Sequence, residues 1–282
     1  MLSTRIVTAV VLIAIVLAAL FLLPPRGFGL AALIVMLLAA HEWATLIRLR
    51  DQGWLVFIVG LILIGLYLLF GEASEFAQGW PARVVLAVCG VASLFWVSLG
   101  VAWVLLRWPT RPRWLLALIG WIVLIATFVA LVQLQTRSPW LVLAAMATVW
   151  IADTAAYFTG RALGRHKLAP AVSPGKTWEG LYGALGGVFV YAMLLIPLAA
   201  TAGYHGATGT VPLIGWVAFM LAVTVVSVVG DLFESWLKRA AGVKDSSNLL
   251  PGHGGVLDRI DALLAAMPLL AIGSTLWLGS NP

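Results

Sequence analysis

Between Ser235 and Asp261 the chain concentrates side chains that could handle phosphate. Seven of its 28 Asp, Glu, Lys and Arg residues fall in these 27 positions. Lys238, Arg239, Lys244 and Arg259 are cationic, Asp245, Asp258 and Asp261 are anionic, and Asp231 and Glu234 lie just upstream. Cations neutralise phosphate oxygens, and carboxylates hold a hard divalent ion that bridges them. The centre of the stretch is Pro251-Gly252-His253-Gly254-Gly255. Its glycines oppose a helix and let backbone N–H groups approach an anion. Upstream, Asp231, Glu234, Ser235 and Lys238 follow the spacing i, i+3, i+4, i+7 and therefore share one helical face. A charge inside a membrane helix costs about 2.5 kcal/mol or more on insertion scales, so two carboxylates within one turn call for partners. One reading is a helix end reaching the headgroups. The other is that Asp231 faces an aqueous notch and holds a metal ion together with Asp258.

Ser235, Lys238-Arg239, Lys244-Asp245, Pro251 to Gly255, Asp258-Arg259 and Asp261 together resemble the signature of the phosphatidate cytidylyltransferase family. A second block, Ala152-Asp153-Thr154-Ala155-Ala156-Tyr157 with Ser173-Pro174-Gly175-Lys176-Thr177-Trp178-Glu179-Gly180, is similar to the same family. The specific likeness covers roughly residues 150–265, and the N-terminal half shares only its hydrophobicity. The resemblance implies an integral membrane nucleotidyltransferase that converts CTP and phosphatidate to CDP-diacylglycerol and pyrophosphate. It implies Mg²⁺ held by Asp231 and Asp258, leaves room for a second, monovalent ion, and suggests a homodimer. It places Asp231, Lys244, Asp245, His253, Asp258, Arg259 and Asp261 in the chemistry. It places Asp153, Lys176, Ser235, Lys238, Arg239, Gly252, Gly254 and Gly255 around the substrates.

Each residue also has a plainer reading. Asp258 alone suits a helix N-terminus through the dipole. Lys244-Asp245 reads as a solvated pair, and Asp153 as a hydrogen-bond acceptor between packed helices. Gly175-Lys176-Thr177 ends like a P-loop, but Pro170 stands where that motif needs its first glycine, and the P-loop is rejected. His253 is assigned a hydrogen-bonding role, because a phosphate monoester is already anionic near neutral pH. His41-Glu42 is a weaker intramembrane charge with no motif around it, and His166 and His205 read as loop residues.

The elements that must carry these residues are membrane helices. Of 282 residues, 62% are hydrophobic and 10% charged, with mean hydropathy +1.05, a composition solvated by lipid rather than water. The net charge of +6 sits in short clusters between apolar runs, which excludes the continuous basic stripe of a nucleic-acid binder. The one cysteine, Cys89, excludes an intramolecular disulfide. Apolar runs begin at Ile6 and continue near 28–47, 54–70, 84–106, 114–134, 140–160, 180–202, 211–237 and 261–279. The expected fold is an all-α polytopic membrane protein of about nine transmembrane helices, the first one retained rather than cleaved. Tryptophans near run ends, such as Trp54, Trp80, Trp108, Trp114 and Trp140, suit an interfacial belt.

With nine spans, 14 of the 17 lysines and arginines fall on the side of the N-terminus, leaving Arg26, Arg83 and Arg137 opposite. That asymmetry predicts a cytoplasmic N-terminus and an active site facing the cytosol across the inner membrane. Residues 1–135 then form an N-terminal group of about five spans. Residues 136–282 form a catalytic group of about four, with cytoplasmic loops 161–179 and 238–260. Two rival classes share some of these features. A transporter should show paired broken helices in two halves, and none is seen. Another prenyl- or sugar-phosphate transferase would also need Mg²⁺ and cytosolic loops.

Overall fold

A computed structural model of the chain describes residues 2–71, 79–106, 108, 112–201 and 210–277. Among them are nine apolar helices: α1 Leu2–Leu22, α2 Pro25–Leu46, α3 Asp51–Phe70, α4 Ala82–Leu105, α5 Arg113–Arg137, α6 Pro139–Leu163, α7 Trp178–Thr201, α8 Thr210–Ala241 and α9 Leu257–Trp277. Eight are long and apolar enough to cross a bilayer, and α1 adds an apolar stretch over Ile6–Leu22. The nine expected runs therefore each form one helix. Arg107, Arg111 and His205 lie outside the described residues.

Proline starts two of the helices, Pro25 in α2 and Pro139 in α6, where the missing N–H has no intrahelical use. The Ser138 hydroxyl caps α6 by accepting from Trp140 N at 3.3 Å. Within α4 a π-helical turn spans Trp96–Gly100. The Trp96 indole donates from there to the Leu264 carbonyl of α9 at 3.0 Å.

The hub is α9, which packs on α8, α5, α4, α6 and α2. Its Ala262, Ala265, Ala266 and Ala271 are buried, and small residues let helix backbones approach where lipid gives no hydrophobic drive. Gly230 of α8 is so close to α9 that an added Cβ would lie 2.7 Å from the Ala265 Cβ. A second close pair is α6 with α7, where a Cβ on Gly187 would meet the Ala155 Cβ at 2.8 Å. On its other side α8 is held by an aromatic nest. Phe233 contacts Trp43, Phe95, Trp96, Trp103 and Trp236. Thus several tryptophans are core rather than belt, including Trp80, which is buried with its indole on the Leu68 carbonyl. Trp114 and Trp140 are exposed, as a belt requires.

One departure from the helical pattern matters for the site. The loop expected over 161–179 is shortened by its flanking helices to 164–177 and carries a small antiparallel hairpin, β1 Lys167–Ala169 with β2 Ser173–Thr177. Val172 N closes its turn on Ala169 O at 3.1 Å around Pro170, whose fixed φ suits the second position of a turn. The Thr177 hydroxyl then caps α7 by accepting from Gly180 N. Helix α8 also runs further than the apolar run implied. Lys238 and Arg239 therefore belong to its last turn, where cations favour the dipole, rather than to the following loop.

Candidate active site

The C-terminal end of α8 and the N-terminal end of α9 meet the loop 242–256 and the hairpin at one end of the bundle. The same end holds the C-terminus of α2, since Arg48 donates to Ala241 O at 3.4 Å. It also holds the start of α1, since Thr8 Oγ1 donates to Pro251 O at 3.2 Å.

The expected face of α8 forms, and each of its four polar side chains finds a partner. Lys238 Nζ is forked between Glu234 Oε2 and Asp258 Oδ1, 2.6 Å from each. Their side-chain exposures are 12%, 2% and 4% respectively, so the two carboxylates are buried and the ammonium nearly so. Glu234 Oε1 has no hydrogen-bond partner among the described residues. The other oxygen of Asp258, Oδ2, accepts from Ser246 N at 2.9 Å, Ser246 Oγ at 2.9 Å and Gly255 N at 2.8 Å. Asp258 is therefore the peg on which loop 242–256 hangs. Gly254 sits beside it at φ +81°, where a Cβ would stand 2.7 Å from Asp258 Oδ2, so both conformation and space require glycine.

One turn earlier, Asp231 Oδ2 pairs with Lys176 of the hairpin at 2.6 Å, and its side chain keeps 28% exposure. Ser235 Oγ donates to Asp231 Oδ1 at 3.4 Å. Asp153 of α6 interacts electrostatically with both Asp231 and Lys176. Asp261 of α9 does the same, and also feels Lys238, while its Oδ1 accepts from Ala262 N at 2.7 Å. The structure thus brings Asp153, Lys176, Asp231, Ser235, Lys238, Asp258 and Asp261 into one chain of polar and charged interactions.

Beside these residues lies an open polar pocket of about 590 Å³ lined by Lys244, Asp245, Asn248, Pro251 to Gly254 and Arg259. Lys244, Asp245 and Arg259 are exposed there. The His253 Nδ1 is buried with no hydrogen-bond partner among the described residues. Arg239 points elsewhere, donating to Val172 O at 3.4 Å and Val243 O at 3.2 Å, so it clamps the hairpin turn to the loop. His166 is part of the same scaffold, with Nδ1 2.7 Å from Glu179 Oε1 at the start of α7.

Glu42 is a site residue that no motif in the sequence marks. It is 2% exposed on α2 and takes four hydrogen bonds. Ser246 Oγ at 2.8 Å and Ser247 Oγ at 2.6 Å donate from the loop, and Val256 N at 3.0 Å and Leu257 N at 2.7 Å donate from the start of α9. Gly255 fits between Ser246 and Glu42, where an added Cβ would collide with Ser246 Oγ and the Glu42 carboxylate. The one signal in the sequence was a carboxylate inside an apolar run, which demands partners without naming them.

Among the described residues, no three His, Cys, Asp or Glu side chains gather closely enough to hold a metal ion alone. The donors present are hard carboxylate oxygens, of which Asp231 is the more open. Mg²⁺ is commonly bound by only one or two carboxylates, with substrate phosphates and water completing its shell. Asp231, with 28% side-chain exposure, therefore fits an ion that arrives with a phosphate substrate, while Asp258, at 4%, could join it only through the oxygen that holds Lys238.

Fold and site together define a polytopic membrane protein whose ion-paired acids and polar pocket share one end of a helical bundle. The chain belongs to the cytidylyltransferase family, whose pattern it matches over residues 3–277. It is 40% identical over 287 residues to a phosphatidate cytidylyltransferase of Pseudomonas aeruginosa, covering 98% of this chain and 97% of that one. A Haemophilus influenzae protein of the same name is 37% identical over 286 residues, covering 96% and 98% of the two chains. One from Brucella suis is 36% identical over 290 residues, covering 95% and 92%.

Proposed function

We propose that this protein joins CTP to phosphatidate, releasing pyrophosphate and forming CDP-diacylglycerol. The observation that carries the reading is spatial. Lys244, His253, Gly254 and Arg259 of the glycine-rich motif gather in one pocket immediately beside the buried Asp258. The pocket is polar and open, as a triphosphate requires, and it lies at the end of membrane helices, where a lipid phosphate resides.

In this reading Lys244 and Arg259 neutralise the triphosphate, and the backbone around Gly252 to Gly255 lies against its oxygens. Lys176 lowers the repulsion between the two polyanions, and Lys238 holds Asp258 in place. A lipid phosphate oxygen forms the new bond to the α-phosphorus of CTP, and the bond to the β-phosphate oxygen breaks as pyrophosphate leaves. His253 serves as a hydrogen-bonding group in the pocket it lines. Asp231 and Asp258 would hold Mg²⁺, which supplies electrostatic stabilisation of charge on the leaving pyrophosphate. Asp245 and Asp261 complete the acidic surround, and Asp153 borders it from α6. The charge asymmetry supports a cytosolic N-terminus and site in the inner membrane, the side on which CTP is found.

The reading is tested with purified protein in mixed micelles and radiolabelled CTP. CDP-diacylglycerol is expected with phosphatidate, and no lipid-linked cytidylyl product with polyprenyl phosphate. Lys244→Ala and Arg259→Ala are each expected to raise the KM for CTP about tenfold, the scale of one lost charge-assisted hydrogen bond. Transfer to polyprenyl phosphate instead, or unchanged CTP kinetics in both variants, would overturn the assignment.

A further inference from the structure

We propose that Glu42, from the N-terminal half of the chain, is a positioning residue that sets the geometry of the nucleotide pocket. This rests on the assignment of that pocket to CTP. Glu42 and Ser246 are 204 positions apart in sequence, so α2 contributes to a site whose motif lies wholly in the C-terminal half. Each carboxylate oxygen receives one backbone N–H and one serine hydroxyl. Oε1 takes Val256 N and Ser247 Oγ, and Oε2 takes Leu257 N and Ser246 Oγ. A buried carboxylate so placed fixes both ends of the loop's second half. It clamps Ser246 and Ser247 where the loop begins its turn, and it caps α9 where the loop ends.

The same contacts reach Asp258. Ser246 Oγ lies 2.8 Å from Glu42 Oε2 and 2.9 Å from Asp258 Oδ2, yet a hydroxyl has a single proton to donate. The two carboxylates therefore share one donor, and the position of Asp258 is tied to that of Glu42. Between these anchors run Asn248 and Pro251 to Gly254, which line the pocket. Loosening Glu42 moves pocket walls as well as the helix start.

Substitution by glutamine separates this role from bulk. Both oxygens of Glu42 accept from backbone N–H groups, which cannot reverse, so either orientation of the amide sets an NH₂ against a donor. Glu42→Gln is expected to raise the KM for CTP at least tenfold and to leave the KM for phosphatidate within about twofold, the scale of a lost hydrogen bond to a charged group. Ser247→Ala deletes the donor to Glu42 and the exposed acceptor of Leu249 N, and no buried charge. It is expected to raise the CTP KM about threefold to tenfold in protein of wild-type stability. Adding it to Glu42→Gln should then have little further effect. A merely structural glutamate would lower the amount of active protein and leave both KM values alone. Should Glu42→Gln fail to fold, Ser247→Ala decides.

A CTP KM within about twofold of wild type in every folded variant of this pair, while Lys244→Ala and Arg259→Ala raise it, would overturn the role of Glu42 and leave the pocket standing. If the Lys244 and Arg259 variants also leave it unchanged, the pocket assignment fails and the Glu42 proposal with it.

Discussion

Lys238→Met is expected to be among the most destabilising single changes in the chain. Its ammonium is the shared counter-charge of two carboxylates that are 2% and 4% exposed, each 2.6 Å away. Removing one partner of a buried ion pair typically costs about 3–5 kcal/mol, because the remaining charge is left without compensation. Here Glu234 would lose its cation 2.6 Å away and Asp258 the partner of Oδ1. The loss should appear as a lower unfolding temperature in detergent, and turnover should fall with it because Asp258 is no longer fixed. The double variant Lys238→Met, Glu234→Gln removes one of the stranded charges. It is expected to recover part of the stability and none of the turnover. Full recovery of activity would mean that Lys238 serves the fold alone.

Asp258→Asn is expected to have the largest kinetic effect. Every contact of this side chain is as an acceptor, from Lys238 on one oxygen and from Ser246 and Gly255 on the other. An amide must turn its NH₂ toward one of these donor sets, and the charge that would hold a divalent ion disappears. Losing one element of preorganised electrostatic stabilisation costs about 10²–10³-fold in kcat, and a fall of at least that size is expected here. The measurement is CDP-diacylglycerol formed per folded molecule, with folding followed by near-ultraviolet circular dichroism. Near-wild-type turnover in this variant would remove Asp258 from the reaction.

Much of the architecture is written locally. Each long apolar run is a helix because lipid leaves backbone groups no other partner, and Pro25 and Pro139 mark helix starts by their missing N–H. The face shared by Asp231, Glu234, Ser235 and Lys238 follows from helical spacing, and so does the i, i+4 pair of Glu234 and Lys238. What spacing cannot supply is the partner across the fold. Lys238 reaches Asp258 twenty positions on, Lys176 reaches Asp231 from the hairpin, and Glu42 binds a loop more than 200 residues away. Such pairings depend on helix packing, and the glycines and alanines that set it look unremarkable in an apolar run. The hairpin was hidden for a different reason. Strands of three and five residues carry too little alternation to stand out beside two prolines. Arg239 shows the converse. Its place in the motif suggests a phosphate contact, while its guanidinium is occupied by the carbonyls of Val172 and Val243.

Asp231 and Asp258 are proposed to share a divalent ion with the nucleotide. Mn²⁺ is a paramagnetic stand-in for Mg²⁺ at oxygen-rich sites, and its binding can be counted by electron paramagnetic resonance on purified protein with CTP present. A CTP-dependent Mn²⁺ site is expected in the wild type, its affinity falling at least about tenfold in Asp231→Asn and in Asp258→Asn alike. Unchanged Mn²⁺ affinity in both variants would contradict it.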